Sequence, residues 1–507
     1  MLHYGIPYND WGIRSQCLVS VNRHPLTLSH TNNYLKHSIQ NSLYTFPNFL
    51  STFLSNFQPF FPFPFPFLSF KVLLSSLFRQ IVLPTILQHF LHLLTSIQSD
   101  TTIMSKKHLI LDNGSYNIKA GFALQKDPLV VQNSLAKAKD GVIYIGNDYL
   151  SHTNLYSGIN FKRPHDQGHL ISWETEKPIW DYTFDQLSPK VELDPLEVHL
   201  TLTETPFQLP QLSMNTDLIV FEEYGFGEYY RCVPLLLVPW AQGGLPSDFF
   251  LVIDCGFNAV HIIPVIYQRV YWKGVRKLPI GGNQLNGLLK EMISFRHYDI
   301  SDEPLLINTV KEKTMYVAEN FLGALKKKEQ ARCEFVLPDF KNTVTGYVRQ
   351  EGSKLPEDAQ TIQLYDERFT VPELFFHPEI MLDHNALSSN TVIQKANFKN
   401  ITDLVVDSIM ACPDVSRPVL LANIHFVGGT ANLANFKHRL VSELEKELPV
   451  NWTVNVLDEK FDLDKVSWQG GHALANNDII KEVTITKQDY FEHGANWCQK
   501  QFGFRNF

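Results

Sequence analysis

The sequence has few cysteines for its length, and those it has stand far apart. Its 507 residues include six: Cys17, Cys232, Cys255, Cys333, Cys412 and Cys498. There is no CxxC pair and no spacing typical of a zinc site. Since disulfide frameworks and structural zinc sites require regularly spaced cysteines, the sequence predicts neither. Scattered thiols of this kind are typical of a reducing compartment.

Excess positive charge is absent as well. The chain has 44 lysines and arginines against 52 acidic residues, which gives a net charge of -8 and an isoelectric point near 6.2. This balance argues against a protein that binds nucleic acid mainly by electrostatic attraction. Hydrophobic residues make up 44% and charged residues 19%, so most of the chain can bury a core and is not disordered. At about 100–200 residues per domain, the length predicts two to four lobes.

Acidic residues are nearly missing from the first 103 residues. This part has no glutamate, two aspartates and five basic residues, a net charge of +3, whereas the residues beyond it carry -11. It also holds 12 of the 36 phenylalanines, and the repeated prolines of residues 57–70 exclude a regular helix or central strand there. Because the composition changes abruptly at Met104, we expect residues 1–103 to be an extension outside the native protein, with Met104 as the true start.

A membrane anchor within this extension is the alternative. Residues 80–99 form a run of 20 without a charged side chain, nominally long enough to cross a bilayer. Pro84 interrupts the run, and five glutamine or histidine residues weaken it. A secretory signal would place its apolar segment at the extreme N-terminus, where MLHYGIPYNDWGIRSQ stands. We therefore favour the extension over an anchor and expect no membrane partner.

Beyond the extension the pattern becomes that of a folded domain. Residues 108–111 read as an apolar strand that leads into Asp112, Gly114 and Ser115, and a second strand follows from Lys119. A glycine turn lets backbone N–H groups approach a phosphate, an acid at the strand end can hold a hydrated magnesium ion, and the lysine can neutralise phosphate oxygens. Asn-Gly is also a common hairpin turn, so this segment alone does not decide between the two interpretations.

The same arrangement recurs about 140 residues later. Residues 249–253 form a continuous apolar run that ends at Asp254 and Gly256, and residues 261–265 follow as a second strand. Two strand–Asp–x–Gly–strand segments predict duplicated lobes that face one nucleotide. A third glycine turn, GlyGly at residues 428–429, precedes apolar residues at four-residue steps, which are typical of a surface helix. Such a turn can seat an adenosine, although glycine pairs are equally common as plain connectors.

In their order along the chain, these motifs resemble those of the actin family. DNGSYNIKAGF resembles the family's first phosphate loop, DCGFNAVHIIPV its second, and VGGTANL its adenosine loop. VKEKTMYVAENF resembles the helix that supplies a Lys-Glu pair near the adenine, here Lys311 and Glu312, and LTETPF and WQGG match further landmarks. The resemblance covers nearly all of residues 104–507. It implies an actin-like α/β fold, shared with sugar kinases and heat-shock chaperone ATPases, in which two lobes close on a nucleotide cleft.

The resemblance also implies which residues bind the nucleotide. We expect ATP or ADP with magnesium as a structural ligand. The ten predicted nucleotide-binding residues are Asp112, Gly114, Ser115, Lys119, Asp254, Gly256, Lys311, Glu312, Gly428 and Gly429. Neither catalytic residues nor protein ligands to a metal ion are predicted.

Three further segments narrow the resemblance. NSLAKAKDG, FKRPHDQGHLISWETEKPIWDY and LKEMISFRHYDISDE resemble nuclear actin-related proteins of SWR-type chromatin remodellers, which exchange histone variants in nucleosomes. This resemblance implies a scaffold subunit that regulates transcription, rather than a free enzyme. The expected partners are other subunits of the remodelling complex, and histones or nucleosomes through that complex. The implied location is the nucleus, and also the cytoplasm, and no homopolymer is expected.

Departures from the family's pattern bear on catalysis. Phe257 stands where the second loop of actin carries an acid, and an aromatic ring cannot coordinate magnesium. Tyr116 replaces a glycine in the first loop. Residues 234–239, where a water-positioning glutamine is expected, contain none, and the next is Gln242. Since phosphoryl transfer depends on positioned water and stabilised charge, we expect no efficient ATPase activity, although His261 matches an active-site histidine.

Two other functions stay open at this point: an active ATPase of the chaperone or sugar-kinase kind, and a filament-forming cytoskeletal actin. An acid at position 257 and a glutamine within residues 234–239 would favour an active ATPase. Self-complementary surfaces would favour a filament-forming actin. Residues 189–194, 208–215 and 341–366 are predicted as surface loops. Residues 283–297 are predicted as a helix, because their apolar side chains recur at helical spacing.

Overall fold

The structure is a computed structural model. It describes residues 107–506 apart from 140, 152–157, 188–193, 244–246, 340–342, 351, 356–357 and 382–398. The predicted extension, the predicted start at Met104 and nearly all of the predicted loop 189–194 lie outside this part of the chain. Within it, no helix is both long and apolar enough to cross a membrane.

A six-stranded mixed sheet organises the first lobe. In spatial order its strands are Ile485–Thr486, Glu228–Cys232, His199–Thr203, His108–Asn113, Asn117–Phe122 and Leu129–Gln132. His108–Asn113 pairs antiparallel with Asn117–Phe122 and parallel with His199–Thr203. Its first five residues are buried, as expected for an apolar strand that is covered on both faces.

A five-stranded sheet organises the second lobe. Arg269–Val270, Val260–Ile266, Phe249–Cys255 and Ile424–Val427 follow one another, and Arg276–Leu278 also pairs with Val260–Ile266. Phe249–Cys255 forms an antiparallel hairpin with Val260–Ile266 and lies parallel to Ile424–Val427. The apolar run predicted as a strand is therefore at the centre of this sheet.

The two sheets repeat one pattern. Each contains an antiparallel hairpin whose first strand ends in Asp-x-Gly, and each places a later strand parallel to that first strand. The repetition predicted from the two motifs is present, and with it the predicted α/β fold of two lobes is confirmed.

Small antiparallel sheets extend both lobes. One consists of Ile143–Ile145, Leu135–Lys137 and Asn160–Lys162, another of Tyr347–Val348, Cys333–Val336 and Thr361–Leu364, and the third of His165–Asp166 and His169–Leu170. The second of these sheets corrects a prediction, because two of its strands fall within residues 341–366, which were expected to form a loop. Tyr347–Val348 is exposed along its length, so it lacks the apolar alternation that marks a half-buried strand.

Helices fill the space around the sheets. The longer ones are Trp173–Leu187, Pro210–Leu218, Gly282–Arg296, Pro304–Thr314, Ile401–Met410, Phe436–Glu447, Val466–Ala475 and Ala495–Asn506. The shorter ones are Phe321–Lys326, Glu367–Thr370, Arg417–Leu421, Ile480–Val483 and Lys487–His493. Gly282–Arg296 confirms the helix predicted at 283–297. Pro210–Leu218 shows that the predicted loop 208–215 is wrong: proline starts this helix, at a position where its missing N–H costs nothing.

Each lobe has its own aromatic core. In the first lobe Trp180, Phe221, Tyr229 and Phe502 are fully buried against the six-stranded sheet. In the second lobe the fully buried aromatic side chains include Phe335, Phe369, Phe375 and Phe436. Burying one phenylalanine side chain contributes about 1.5–3 kcal/mol, so these residues are a main source of stability in both lobes.

The chain passes between the two sheets twice, first through residues 234–242 and later through the helix Val466–Ala475. These two segments touch backbone to backbone. A Cβ atom at Gly470 would overlap the carbonyl oxygen of Leu237. Only glycine fits at such a contact, which explains a glycine in the WQGG segment.

The same segment attaches the helix to the first hairpin. Trp468 is fully buried, and its Nε1 donates a hydrogen bond to the carbonyl oxygen of Ile110 at 3.2 Å. The indole ring lies over Gly121, where a Cβ atom would come within 2.7 Å of it. The helix that returns the chain to the first sheet is thereby held against both strands of the hairpin.

Candidate functional site: the cavity between the hairpin tips

A cavity of about 700 Å³ lies between the tips of the two Asp-x-Gly hairpins. All ten residues that the sequence predicts for nucleotide binding line it: Asp112, Gly114, Ser115, Lys119, Asp254, Gly256, Lys311, Glu312, Gly428 and Gly429. They come from four separate parts of the chain and meet only in the folded protein. The structure brings the predicted residues together, while the identity of their ligand stays a prediction.

Asp112 is held in place by two neighbours on the first sheet. The Thr203 hydroxyl donates to Asp112 Oδ1 at 2.7 Å and accepts from the backbone N–H of Asn113 at 3.0 Å. Lys119 Nζ lies 3.4 Å from Asp112 Oδ2. These contacts follow from the sheet, because Lys119 is opposite Asp112 in the hairpin and Thr203 ends the parallel strand on the other side. A phosphate near Lys119 would therefore share this ammonium group with Asp112.

Asp254 ends the corresponding strand of the second sheet. Burial, together with the nearby Asp112 carboxylate, raises the pKa of Asp254 to about 7, and Lys119 opposes that shift. Near neutral pH this carboxyl group is protonated for part of the time, so a cation at this place would compete with a proton. Among the residues that the structure describes, no group of three or more His, Cys, Asp or Glu is placed to hold a metal ion.

Gly428 closes the cavity wall beside Asp254. Its φ angle of 96° is one that residues with a Cβ atom rarely adopt. A Cβ atom here would overlap the Cys255 carbonyl oxygen and lie 2.5 Å from Asp254 Oδ1. The Thr430 hydroxyl donates to the Gly256 carbonyl oxygen at 3.0 Å. The predicted adenosine turn is thus packed tightly against the tip of the second hairpin.

The side-chain amide of Asn308 contacts both Lys311 and Glu312, which line another part of the cavity. Asn308 Oδ1 accepts from Lys311 Nζ at 2.8 Å, and Asn308 Nδ2 donates to Glu312 Oε1 at 2.7 Å. Burial lowers the pKa of Lys311 to about 8. Sequence analysis does not single out Asn308. Its spacing of three and four residues from the Lys-Glu pair on one helix is the signal that could have identified it.

Tyr116 and Phe257 meet between the two hairpin tips, and both line the cavity. Their ring centroids are 4.7 Å apart with the planes inclined at 46°. The Arg163 guanidinium lies 4.5 Å from the Tyr116 ring centre and 5.1 Å from that of Phe257. Two positions at which the sequence departs from the actin pattern are therefore in contact, although they belong to different sheets. The sequence gives no sign of Arg163, whose role depends on this long-range contact.

His261 and Gln242 are the two residues considered for positioning a water molecule, and their surroundings differ. His261 lines the cavity and is buried; burial, with Lys277 and His169 nearby, lowers its pKa to about 3, so the ring is neutral at physiological pH. Gln242 instead donates to Glu459 Oε2 at 2.8 Å. Gln242 is the first glutamine after residues 234–239, and this hydrogen bond already occupies its side-chain nitrogen.

Comparisons with known proteins agree with this geometry. The family model described as Actin matches residues 104–503. An Actin-like protein ARP6 from Debaryomyces hansenii is 60% identical over 409 residues, which cover 80% of this chain and 100% of the relative. The Candida albicans protein of that name is 53% identical over 438 residues, covering 78% of this chain and 98% of the relative. The Saccharomyces cerevisiae protein of that name is 36% identical over 454 residues, which cover 80% of this chain and 100% of the relative.

Proposed function

The chain belongs to the actin family, and from that membership we propose that it is a non-catalytic subunit of a SWR-type chromatin-remodelling complex. In this role it supports the exchange of histone variants in nucleosomes and so regulates transcription. It acts in the nucleus, is also present in the cytoplasm, and reaches histones through the other subunits of the complex.

The observation that carries the proposal is the extent of the likeness to the ARP6 proteins. The aligned regions cover 98–100% of the three relatives described above. A shared fold alone does not imply a shared function, but a likeness over the whole of another protein supports one. The segments that resemble nuclear actin-related proteins of SWR-type remodellers lie within the matched part of the chain.

The cavity supports a nucleotide as a structural ligand. Lys119 and the turn at Gly114 and Ser115 are placed to hold phosphate oxygens, and Lys311 and Glu312 would face the nucleoside. A nucleotide supplies a bridge between the lobes, and it stabilises their closed arrangement in proportion to its preference for that state.

The same cavity supports binding without turnover. Phosphoryl transfer requires a metal ion that neutralises phosphate charge and a residue that orients the attacking water. At the hairpin tips the carboxylates that line the cavity are Asp112 and Asp254, and Phe257 adds none. Gln242 is bonded to Glu459, and His261 carries no partner on Nε2 among the described residues.

Purification of the chain with its partners tests the subunit role. The chain is tagged at its C-terminus, purified from its native cells at physiological salt, and its companions are identified by mass spectrometry, with untagged cells as the control. We expect a remodeller's motor ATPase and histones in constant proportion to the chain. Recovery of the chain alone, or of regular filaments by electron microscopy, would contradict the proposal.

A second prediction concerns hydrolysis. The purified chain, free of any motor ATPase, should release phosphate from ATP in single-turnover assays no faster than buffer does, because the groups that place the metal ion and water are missing. Asp254→Ala serves as the matched control, since it removes an acid that an active ATPase would need. Rapid phosphate release that this substitution abolishes would instead identify an active ATPase.

A further inference from the structure

Two aromatic side chains that line the cavity connect the tips of the two hairpins. Tyr116 lies in the turn after His108–Asn113, Phe257 in the turn after Phe249–Cys255, and their rings are in contact at 4.7 Å. Aromatic pairs in such tilted contact contribute about 0.5–1.5 kcal/mol beyond the area that they bury. Both rings line the cavity, so their contact takes up part of the space between the two hairpin tips.

Arg163 holds the ring pair in position. Its guanidinium lies over both rings, and its NH1 group donates to the carbonyl oxygens of Ser115 at 3.4 Å, Tyr116 at 3.2 Å and Asn133 at 3.2 Å. These bonds fix the backbone that carries the Tyr116 ring. They also direct the NH1 donors at carbonyl groups, so this end of the guanidinium is not available to a phosphate.

Phe257 further blocks the start of the helix Gly282–Arg296. A Cβ atom at Gly282 would lie 3.3 Å from the Phe257 ring. The N–H groups of Gly282 and Asn283 already donate to the Gly256 and Phe257 carbonyl oxygens, at 3.2 and 2.7 Å. Helix N-termini bind anions through such free N–H groups, so this one has little to offer a terminal phosphate.

The charge around the cavity also disfavours a triphosphate relative to a diphosphate. Its lining includes five carboxyl side chains and three lysines, and one of these lysines, Lys119, is shared with Asp112. A triphosphate brings more negative charge than a diphosphate, and in kinases and ATPases metal ions normally offset it. The Phe257 ring supplies no oxygen ligand for such an ion.

We infer that Tyr116 and Phe257 limit the length of the phosphate tail, so that the cavity holds a nucleoside diphosphate in preference to a triphosphate and does so without a divalent cation. This inference rests on the proposed nucleotide-binding role. Lys119 and the first hairpin hold the diphosphate, and the ring pair closes the space beyond it.

Calorimetric titration of the full-length chain tests the inference. ADP and ATP are each titrated in excess EDTA and in excess magnesium chloride, after bound nucleotide has been removed by dialysis. We expect ADP to bind at least about tenfold more tightly than ATP, a difference of about 1.4 kcal/mol. Magnesium should change the affinity for ADP less than about twofold.

Substitutions identify the source of the preference. In the double variant with Tyr116→Gly and Phe257→Asp, ATP with magnesium should bind as tightly as ADP. Phe295→Asp and Tyr298→Gly make the same chemical changes at exposed positions, 90% and 49% accessible, and should leave the preference unchanged. Melting curves of all variants show whether each is folded, and the ratio measured on the unmodified chain does not depend on any variant.

The possible failures are distinct. Tight, magnesium-dependent binding of ATP to the unmodified chain, at least equal to that of ADP, would overturn the inference and leave the proposed nucleotide role intact. Absence of binding of either nucleotide to both the unmodified chain and the double variant would overturn the inference together with that role.

Discussion

Replacing Gly428 with alanine is expected to lower the free energy of unfolding by about 2–6 kcal/mol. The backbone of Gly428, with φ 96° and ψ 154°, lies in a region that is nearly restricted to glycine and costs any other residue about 1–3 kcal/mol. The new methyl group would also overlap the Cys255 carbonyl oxygen, and forcing extra atoms into a packed site costs a further 1–3 kcal/mol or so. Because that oxygen belongs to the backbone of the second hairpin, no side-chain rotation can relieve the overlap.

Two other glycines provide matched controls, measured by urea titration of each single variant. Gly494 lies in the same backbone region, with φ 79° and ψ 171°, and has no heavy atom within 4 Å of a Cβ position. Its alanine variant should therefore lose only the conformational part, about 1–3 kcal/mol. Gly287 lies in the helix Gly282–Arg296 with open space around it, and alanine there should stabilise by about 0.5–1 kcal/mol. Equal losses for the Gly428 and Gly494 variants would mean that the turn at Gly428 shifts to admit a methyl group.

Arg231→Met is expected to destabilise the first lobe by about 3–5 kcal/mol, because removing one partner of a buried ion pair leaves the other uncompensated. Arg231 bonds both oxygens of Asp217, at 2.9 and 3.2 Å, and also contacts Glu204 and Gln499. The Asp217 side chain is fully buried. The contacts with Asp217 and Gln499 tie the strand Glu228–Cys232 to two helices, so both should loosen together.

The loss in this variant should depend on pH. Burial raises the pKa of Asp217 to about 6 even with Arg231 present, and without that cation the pKa rises further. A raised pKa in the folded state means that stability is present at low pH and is lost as the pH rises through that value. The Arg231→Met variant should therefore lose less stability at pH 5 than at pH 8, as measured by urea titration at both.

Two further variants isolate the cause. Adding Asp217→Asn to Arg231→Met removes the ionisable group, so the difference between pH 5 and pH 8 should disappear. Lys481→Met breaks a pair with the exposed Asp478 and should cost less than about 1 kcal/mol. A pH-independent loss in Arg231→Met would assign its effect to the lost contact between the guanidinium and the Phe502 ring instead.

Local signals predicted much of the fold and ten of the residues that line the cavity. The apolar runs before Asp112 and Asp254 mark strands that are buried on both faces, and their Asp-x-Gly endings place both turns at the cavity. The helix Phe436–Glu447 follows from four-residue apolar steps. These features depend on neighbours in sequence, which is why sequence alone reveals them.

Contacts between distant segments could not be predicted in this way. Thr203 supports Asp112 only because a parallel strand brings it there, and Arg163 reaches Tyr116 and Phe257 from the connection that follows the strand Asn160–Lys162. The sequence shows that both rings replace expected residues, but not that they touch. The helix Pro210–Leu218 was missed because its polar residues and its proline are equally typical of a loop.

The backbone contact between Gly470 and Leu237 gives the molecule a fulcrum. Both passages of the chain from one sheet to the other meet at this contact, so we expect a rotation of one sheet against the other to turn about it. With no side chain between the two segments, the pivot has little slack of its own. The lobes then act as two lever arms, and a small turn at the base becomes a larger displacement at the far ends. A molecule that contacted both lobes would therefore experience their movement mainly as a change in the angle between them.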